Sequence, residues 1–267
     1  MHNLILKAKE LLENKIVSVI IGFETGSSGK VRPVFITDSN KADSLIFDER
    51  CIQNLAVYLT KKEVKQFGKM GIVATLPIMR SIMVLISEQQ LSPENVVVLG
   101  ISGDGEVLDF ADITVMQHYI EKCELGNPAK EQDMLATLNR LNMQEKFEFW
   151  QKEFSKCIKC YACRQSCPMC YCTRCAVECN QPQWIPVQSN NLGNMEWHIL
   201  RAMHLAGRCI SCGECGRACP VGIPCHLLTM HLVDQAQSYF GVYAGISDKM
   251  SSVLSTYAPN DKESFII

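Results

Sequence analysis

Cysteine is distributed very unevenly along this chain of 267 residues. Of its 15 cysteines, only Cys51 and Cys123 precede residue 157, and eight lie within the segment CIKCYACRQSCPMCYCTRCAVEC. In a small secreted domain such a cluster indicates a disulfide framework. The opening residues MHNLILKAKELLENK show helical periodicity and lack the features of a signal peptide. We therefore expect a cytoplasmic protein, in which closely spaced cysteines bind metal.

One cysteine spacing occurs twice. The pattern C-x2-C-x2-C-x3-C-P spans residues 157–168, the first motif, and residues 209–220, the second motif. It is typical of bacterial ferredoxins with two 4Fe-4S clusters, where the fourth cysteine of each motif binds the other cluster. We predict that cluster one is held by Cys157, Cys160, Cys163 and Cys219, and cluster two by Cys209, Cys212, Cys215 and Cys167.

Structural zinc is the alternative interpretation of these motifs. Pairs of cysteines separated by two residues also suit tetrahedral zinc. A zinc site would use two such pairs, whereas each motif here has a third cysteine in phase and a fourth before proline. The duplicated spacing therefore favours iron–sulfur clusters.

Five more cysteines fall in the same region. Four of them form a run between the two motifs, with one gap shorter than in the ferredoxin pattern: Cys170, Cys172, Cys175 and Cys179. This third run either binds a third metal centre or packs as small apolar side chains. Cys225, just after the second motif, is expected to pack.

The segment between the motifs predicts a helix. Its turn signals end near Met195, and apolar residues then recur at helical spacing. Arg201 and Arg208 lie seven residues apart on one face of this helix. They either offset the negative charge of thiolate-bound clusters or form a solvated basic face. His198 and His204 are not needed as ligands, because enough cysteines are already in phase.

The first 145 residues show a different pattern. Short β-branched runs at 16–23, 31–37, 71–75 and 95–101 alternate with helical stretches at 48–64 and 79–90. This alternation predicts an α/β domain with parallel strands late in the domain. The 26 basic and 28 acidic residues give no electrostatic footprint for nucleic acid. No apolar run reaches the roughly 18 residues of a membrane helix.

Two glycine-bearing loops are candidates for phosphate-binding loops. GFETGSSGKV lacks the required first glycine and has Val31 after the lysine, so it predicts a hairpin turn. GISGDGEV follows a strand and precedes a helix predicted near Asp109, so its backbone would meet a phosphate or flavin through Gly100, Gly103 and Gly105. A plain βα turn is the alternative.

The chain resembles, from about residue 15 to 235, the iron–sulfur proteins related to the beta subunit of deazaflavin-coenzyme-dependent hydrogenases and formate dehydrogenases. The resemblance rests on both cysteine motifs and on the segment GIVATLPIMRSIMVLISEQQLSPENVVVLGIS. Similar subunits accompany heterodisulfide-reductase-like complexes in anaerobes. The resemblance implies a subunit that passes electrons between a flavoprotein and a catalytic partner. The family's cysteine-containing signatures are replaced here by ATLPIMR and LGISGDG.

The sequence and the resemblance together predict that the chain has three regions. Residues 1–145 form an α/β domain that serves for docking or as a degenerate flavin domain. Residues 146–240 form a ferredoxin-like domain with two clusters, or with three if the third run binds one, and with a helical insert. Residues 241–267 form a tail. The alternative function is an oxidoreductase that also holds FAD or FMN and acts on a soluble electron carrier. No nucleophile-base constellation indicates other catalysis.

Overall fold

The computed structural model describes residues 2–110, 112–126, 128–179, 182–249 and 253. It divides the chain into two compact units. Unit 1 runs to Cys123 and includes Gly245–Lys249, and unit 2 contains Glu124–Ala244. The division therefore lies about twenty residues before the boundary predicted near residue 145. The tail predicted from residue 241 contributes residues to unit 1, and most of the rest of it lies outside the described residues.

Unit 1 is built on a five-stranded mixed sheet. Its strands are β1 (Val19–Thr25), β2 (Val31–Ile36), β3 (Met70–Ala74), β4 (Val96–Ile101) and β5 (Val107–Asp109), in the spatial order β2-β1-β3-β4-β5. Strands β1, β3 and β4 are parallel, and the two edge strands are antiparallel to their neighbours. The four predicted strands are confirmed. β5 was not predicted, because three residues are too few for a periodic signal.

The helices of unit 1 cover this sheet. They are α1 (His2–Glu13), α2 (Lys62–Lys65), α3 (Leu76–Ser87) and α4 (Ile113–Lys122), with short 3-10 helices at Ser39–Ser44, Leu55–Tyr58 and Pro93–Asn95. α1 buries Leu4, Ala8 and Leu11, which are spaced as one helical face, against the apolar core of the sheet. The helix predicted at 79–90 corresponds to α3, which starts three residues earlier because Pro77 suits a first turn.

The helix predicted at 48–64 was wrong over most of its length. Only the 3-10 turn Leu55–Tyr58 and the single turn α2 form there. The side chain of Asn54 accepts a hydrogen bond from the Ala56 amide at 3.2 Å and donates one to Ser81 Oγ at 2.9 Å. Asp48 binds the Arg50 amide at 2.9 Å in the same manner. Such local bonds compete with a continuous helix.

The two glycine-bearing loops are both β-hairpin turns. The first, between β1 and β2, closes with the Gly26 amide bonded to the Lys30 carbonyl at 2.8 Å, as predicted. The second joins β4 to the antiparallel β5, and Gly105 adopts a φ of +85° in it. The expectation of a βα turn is therefore corrected. The helix predicted near Asp109 begins only at Ile113, after the N-cap residue Asp112.

Unit 2 is helical, with the cysteine motifs in its loops. Its helices are α5 (Ala129–Arg140), α6 (Met143–Ser155), α7 (Ala162–Gln165), α8 (Asn191–His204), α9 (Glu214–Arg217) and α10 (Cys225–Phe240). α8 confirms the predicted helix between the motifs and starts after the cap Asn190, whose side chain accepts from the Gly193 amide at 2.9 Å. α8 packs against α6 and α10. Every helix in the described part of the chain is too short or too polar to cross a bilayer.

Candidate metal centres

The two cysteine motifs have the same backbone conformation. In the first motif Lys159 and Tyr161 have φ angles of +52° and +59°, and in the second Ser211 and Gly213 have +60° and +75° at the equivalent positions. The Lys159 amide lies 3.4 Å from Cys157 Sγ, and the Ser211 amide lies 3.4 Å from Cys209 Sγ. A one-turn helix, α7 or α9, then follows in each motif. Four left-handed residues, three of them not glycine, indicate that the backbone is shaped around its sulfur atoms.

One cavity in unit 2 collects the four cysteines predicted for cluster one. Its lining includes Cys157, Cys160 and Cys163 from the first motif and Cys219 from the second. Burial raises the pKa of Cys157, and the nearby thiols of Cys163, Cys160 and Cys219 raise it further. Cys219 Sγ also accepts a hydrogen bond from the Ile223 amide at 3.3 Å. The chain therefore brings together three thiols of one motif and the last thiol of the other.

Helix α8 closes one side of this cavity with two aromatic rings. Trp197 and His198 both line it. His198 stacks on Phe154, with ring centroids 4.3 Å apart, and Trp197 lies 5.5 Å from the Tyr161 ring. Burial, helped by the charges of Arg201 and Lys159, lowers the pKa of His198 to about 3, so its imidazole is neutral at physiological pH.

These two side chains leave buried nitrogen atoms without a partner in the protein. Trp197 Nε1 and His198 Nε2 are both inaccessible to solvent and form no hydrogen bond in the described part of the chain. An unsatisfied buried donor costs about 1 to 3 kcal/mol. The sulfur atoms of a thiolate-bound cluster are acceptors for such donors. The four cysteines in the lining of the cavity are the donor set that a 4Fe-4S cluster requires.

Three of the four cysteines predicted for cluster two lie close to one another. Burial, together with the neighbouring thiols of Cys209 and Cys215, raises the pKa of Cys212 to about 12. Cys167 and Cys215 both lie near the guanidinium group of Arg201. Three thiols of the second motif are thus grouped, and the fourth predicted ligand, Cys167, interacts with the same guanidinium group as Cys215.

The third run is dispersed compared with the two motifs. Cys170 lies beside Cys167 and Arg201, whereas Cys172 and Cys179 are exposed. Cys175 is half-buried and packs against the apolar core of unit 2. Among the described residues, no three histidine, cysteine, aspartate or glutamate side chains converge as a single metal ion would require. The same is true of the eight cysteines of the two motifs, so this finding does not distinguish the third run from the motifs or zinc from iron–sulfur clusters.

Cys225 is buried in the apolar core of unit 2, which confirms the expectation that it packs, but the sequence did not indicate its position beside the motif cysteines. Its thiol donates to the Cys215 carbonyl at 3.3 Å, and the residue lines the cavity of cluster one. Hydrogen bonding to Cys225 is the main cause that lowers the pKa of Cys163, and it lowers the pKa of Cys215 to about 6. Cys225 therefore lies beside one cysteine from each motif.

The two arginines of α8 have different surroundings. Arg201 is 5% exposed, which excludes a solvated basic face at that position. Arg208 is half-buried, donates to the His204 and Met169 carbonyls at 3.0 and 3.4 Å, and lies over the Tyr171 ring. Helical spacing alone does not distinguish a buried arginine from a surface one.

The three glycines proposed for cofactor binding lie at an open hairpin tip or in a packed strand of unit 1. Gly103 and Gly105 lie at an open hairpin tip, where an added Cβ would meet no atom within 4 Å. Gly100 is packed against Phe110, Met79 and Leu108. A cavity of about 690 Å³ lies elsewhere in this unit, and its described lining includes Phe110 and Asp112 but none of the three glycines.

Comparison with known proteins agrees with this geometry. Residues 156–224 match the family model described as a 4Fe-4S dicluster domain. The chain carries a dicluster domain. This match covers the whole of both motifs and the helix α8 between them. It confirms iron–sulfur binding as the chemistry of the C-terminal unit, beside an N-terminal α/β unit with a mixed sheet.

Two curated relatives extend the comparison. The chain is 31% identical over 104 residues to the F420-dependent formate dehydrogenase subunit beta of Methanocaldococcus jannaschii, which is 39% of this chain and 27% of the relative. It is 29% identical over 120 residues to the F420-dependent formate dehydrogenase 1 subunit beta of Methanococcus maripaludis, which is 44% of this chain and 30% of the relative. The resemblance to such beta subunits is confirmed, and the aligned region spans less than a third of each relative.

Proposed function

We propose that this chain is an electron-transfer subunit of a formate dehydrogenase-like complex, and that it relays single electrons between a flavoprotein and a catalytic subunit. The observation that carries this proposal is the cavity lined by Cys157, Cys160, Cys163 and Cys219, which joins ligands from both motifs. The similarity to formate dehydrogenase beta subunits supports the choice of complex.

The ligand sets follow the interleaved pattern of two-cluster ferredoxins. In this proposal Cys157, Cys160, Cys163 and Cys219 hold cluster one, and Cys209, Cys212, Cys215 and Cys167 hold cluster two. Each 4Fe-4S cluster supplies a one-electron redox centre. The chain fixes the two sets relative to each other, because each motif contributes to both. In this proposal the third run packs, because Cys175 lies against the apolar core of unit 2 and Cys170 lies beside Cys167 and Arg201.

The protein controls access to the ligands of cluster one. Cys160 is exposed, whereas Cys157 and Cys163 are buried. Trp197 and His198, which line the same cavity, are both buried. Electron transfer to a partner protein is therefore favoured at the Cys160 edge, where the separation from a docked redox group is smallest.

The test is metal analysis of protein purified under strictly anaerobic conditions. Iron, acid-labile sulfide, zinc and flavin are measured per chain. About eight irons with matching sulfide, reducible in one-electron steps, are expected for two clusters, and about twelve would assign a third cluster to Cys170, Cys172, Cys175 and Cys179. Zinc without sulfide would refute the proposal. Stoichiometric flavin would instead favour the alternative enzyme that acts on a soluble carrier.

A further inference from the structure

Arg201 is a buried cation at the centre of unit 2. It is 5% exposed on helix α8, and its Nη2 donates to the Cys163 carbonyl at 2.9 Å. Its Nε is inaccessible to solvent and has no hydrogen-bond partner in the described part of the chain. No carboxylate among the described residues forms an ion pair with it. A buried charge without a compensating partner is costly, so this position calls for negative charge nearby.

The groups around Arg201 are cysteines. The thiols that interact with its charge are those of Cys170, Cys167, Cys215 and Cys163. Cys163 belongs to the ligand set proposed for cluster one, and Cys167 and Cys215 belong to the set proposed for cluster two. One guanidinium group therefore lies beside ligands of both sets.

We propose that Arg201 raises the reduction potentials of both clusters by stabilising the negative charge that each gains on reduction. This inference rests on the proposed function, because it takes the two cysteine sets as cluster ligands. Charge near a cluster, hydrogen bonds to its sulfur atoms and solvent exposure set its potential. Burial strengthens the effect, since a charge acts more strongly where water does not screen it.

The side chain is suited to act on two centres at once. A guanidinium group is planar and keeps its charge at all accessible pH values, and it offers five donors in a fixed geometry. Arg201 is held by the Cys163 carbonyl, and its guanidinium group also hydrogen-bonds to the thiols of Cys215 and Cys170. A lysine at this position would retain the charge but not the forked geometry.

The test is a redox titration of the full chain, monitored by electron paramagnetic resonance, after anaerobic purification. The variants are Arg201→Gln, which removes the charge, and Arg201→Lys, which retains it. Arg140→Gln is the matched control, because Arg140 is an exposed cation of the same unit. Iron and sulfide content are measured for each protein before titration.

Arg201→Gln is expected to lower the reduction potentials of both clusters, so that the ratio of reduced to oxidised protein at a fixed potential falls at least tenfold. For a one-electron couple, a tenfold change corresponds to a shift of about 59 mV. Arg201→Lys is expected to restore much of this ratio, and Arg140→Gln to leave it within about twofold of the wild type, since exposed charges are screened. A loaded Gln variant with unchanged potentials, or with only one potential shifted, would overturn the inference. So would a Lys variant as low as Gln.

Two further outcomes are separated by the iron measurement. If Arg201→Gln does not retain iron, Arg201→Met replaces it, because methionine keeps an unbranched stem of similar length in the buried site. If the wild-type chain itself contains no iron and sulfide, the proposed function fails before the role of Arg201 is tested. The two failures are therefore distinguishable.

Discussion

Interleaving of the two motifs can be tested by counting iron in paired variants. The structure places Cys160 and Cys219 in the lining of one cavity, although 58 intervening residues separate them in sequence. Cys167 lies nearer to Cys160 in sequence but is grouped with Arg201 and Cys215. We therefore expect Cys160 and Cys219 to share a cluster, and Cys160 and Cys167 to serve different ones.

The expected iron losses follow from this arrangement. A single Cys→Ala change removes either one iron, if a three-iron cluster remains, or the whole cluster of four. Cys160→Ala with Cys167→Ala damages both clusters, so the losses add to about two or about eight irons. Cys160→Ala with Cys219→Ala removes two ligands from one cluster, so the loss is about four irons in either case and is not the sum of the single losses.

The assay is iron and sulfide content per folded chain, with far-ultraviolet circular dichroism to confirm helix content in each variant. Cys123→Ala is the control, because Cys123 lies in unit 1 and its thiol donates to the Tyr119 carbonyl at 3.3 Å. Additive losses for Cys160 with Cys219, together with non-additive losses for Cys160 with Cys167, would show that each motif holds its own cluster. That result would refute the interleaved assignment.

Three further predictions concern the same unit. Replacing Cys172, Cys175 and Cys179 together by alanine is expected to leave about eight irons per chain, and a loss of about four from twelve would show a third cluster. Asn194→Ala removes hydrogen bonds to the Phe154 and Cys157 carbonyls at 3.1 and 2.9 Å, and it should lower the free energy of unfolding in urea by about 2 to 3 kcal/mol. Asn139→Ala, at an exposed position, should cost much less, and an equal cost for the two variants would contradict the reasoning. Burial lowers the pKa of His198 to about 3, so its charge does not change between pH 6 and 9 and the cluster potentials should be nearly constant over this range. A potential that falls by about 59 mV per pH unit, as in a proton-coupled step, would contradict this.

The sheet of unit 1 was largely predictable from local pattern. Runs of β-branched residues located β1 to β4, and the failed phosphate-loop match correctly indicated the hairpin after Thr25. The pattern failed where side chains bond to the local backbone, as Asn54 does in the segment predicted as a helix. It also failed after Ile101, where antiparallel pairing of a three-residue strand replaced a βα turn.

The candidate ligands were predictable because cluster binding imposes a sequence spacing. The side chains that surround the ligands were not, since their role depends on which face of α8 is buried. Sequence periodicity put Arg201 and Arg208 on the same face, yet only Arg201 is fully enclosed. Likewise Cys225 has no partner at a motif spacing, and its contact with the Cys215 carbonyl arises only when α10 packs beside α9.

Helix α8 is the element that joins the two ligand sets. Trp197 and Arg201 are four residues apart and so project from the same face of the helix. Trp197 lines the cavity of cluster one, and Arg201 lies beside cysteines of both sets. A displacement of this one helix would therefore change the polar surroundings of both clusters together. The proposed relay needs two centres whose separation and relative potentials stay fixed, and a single helix that contacts cysteines of both motifs would supply both.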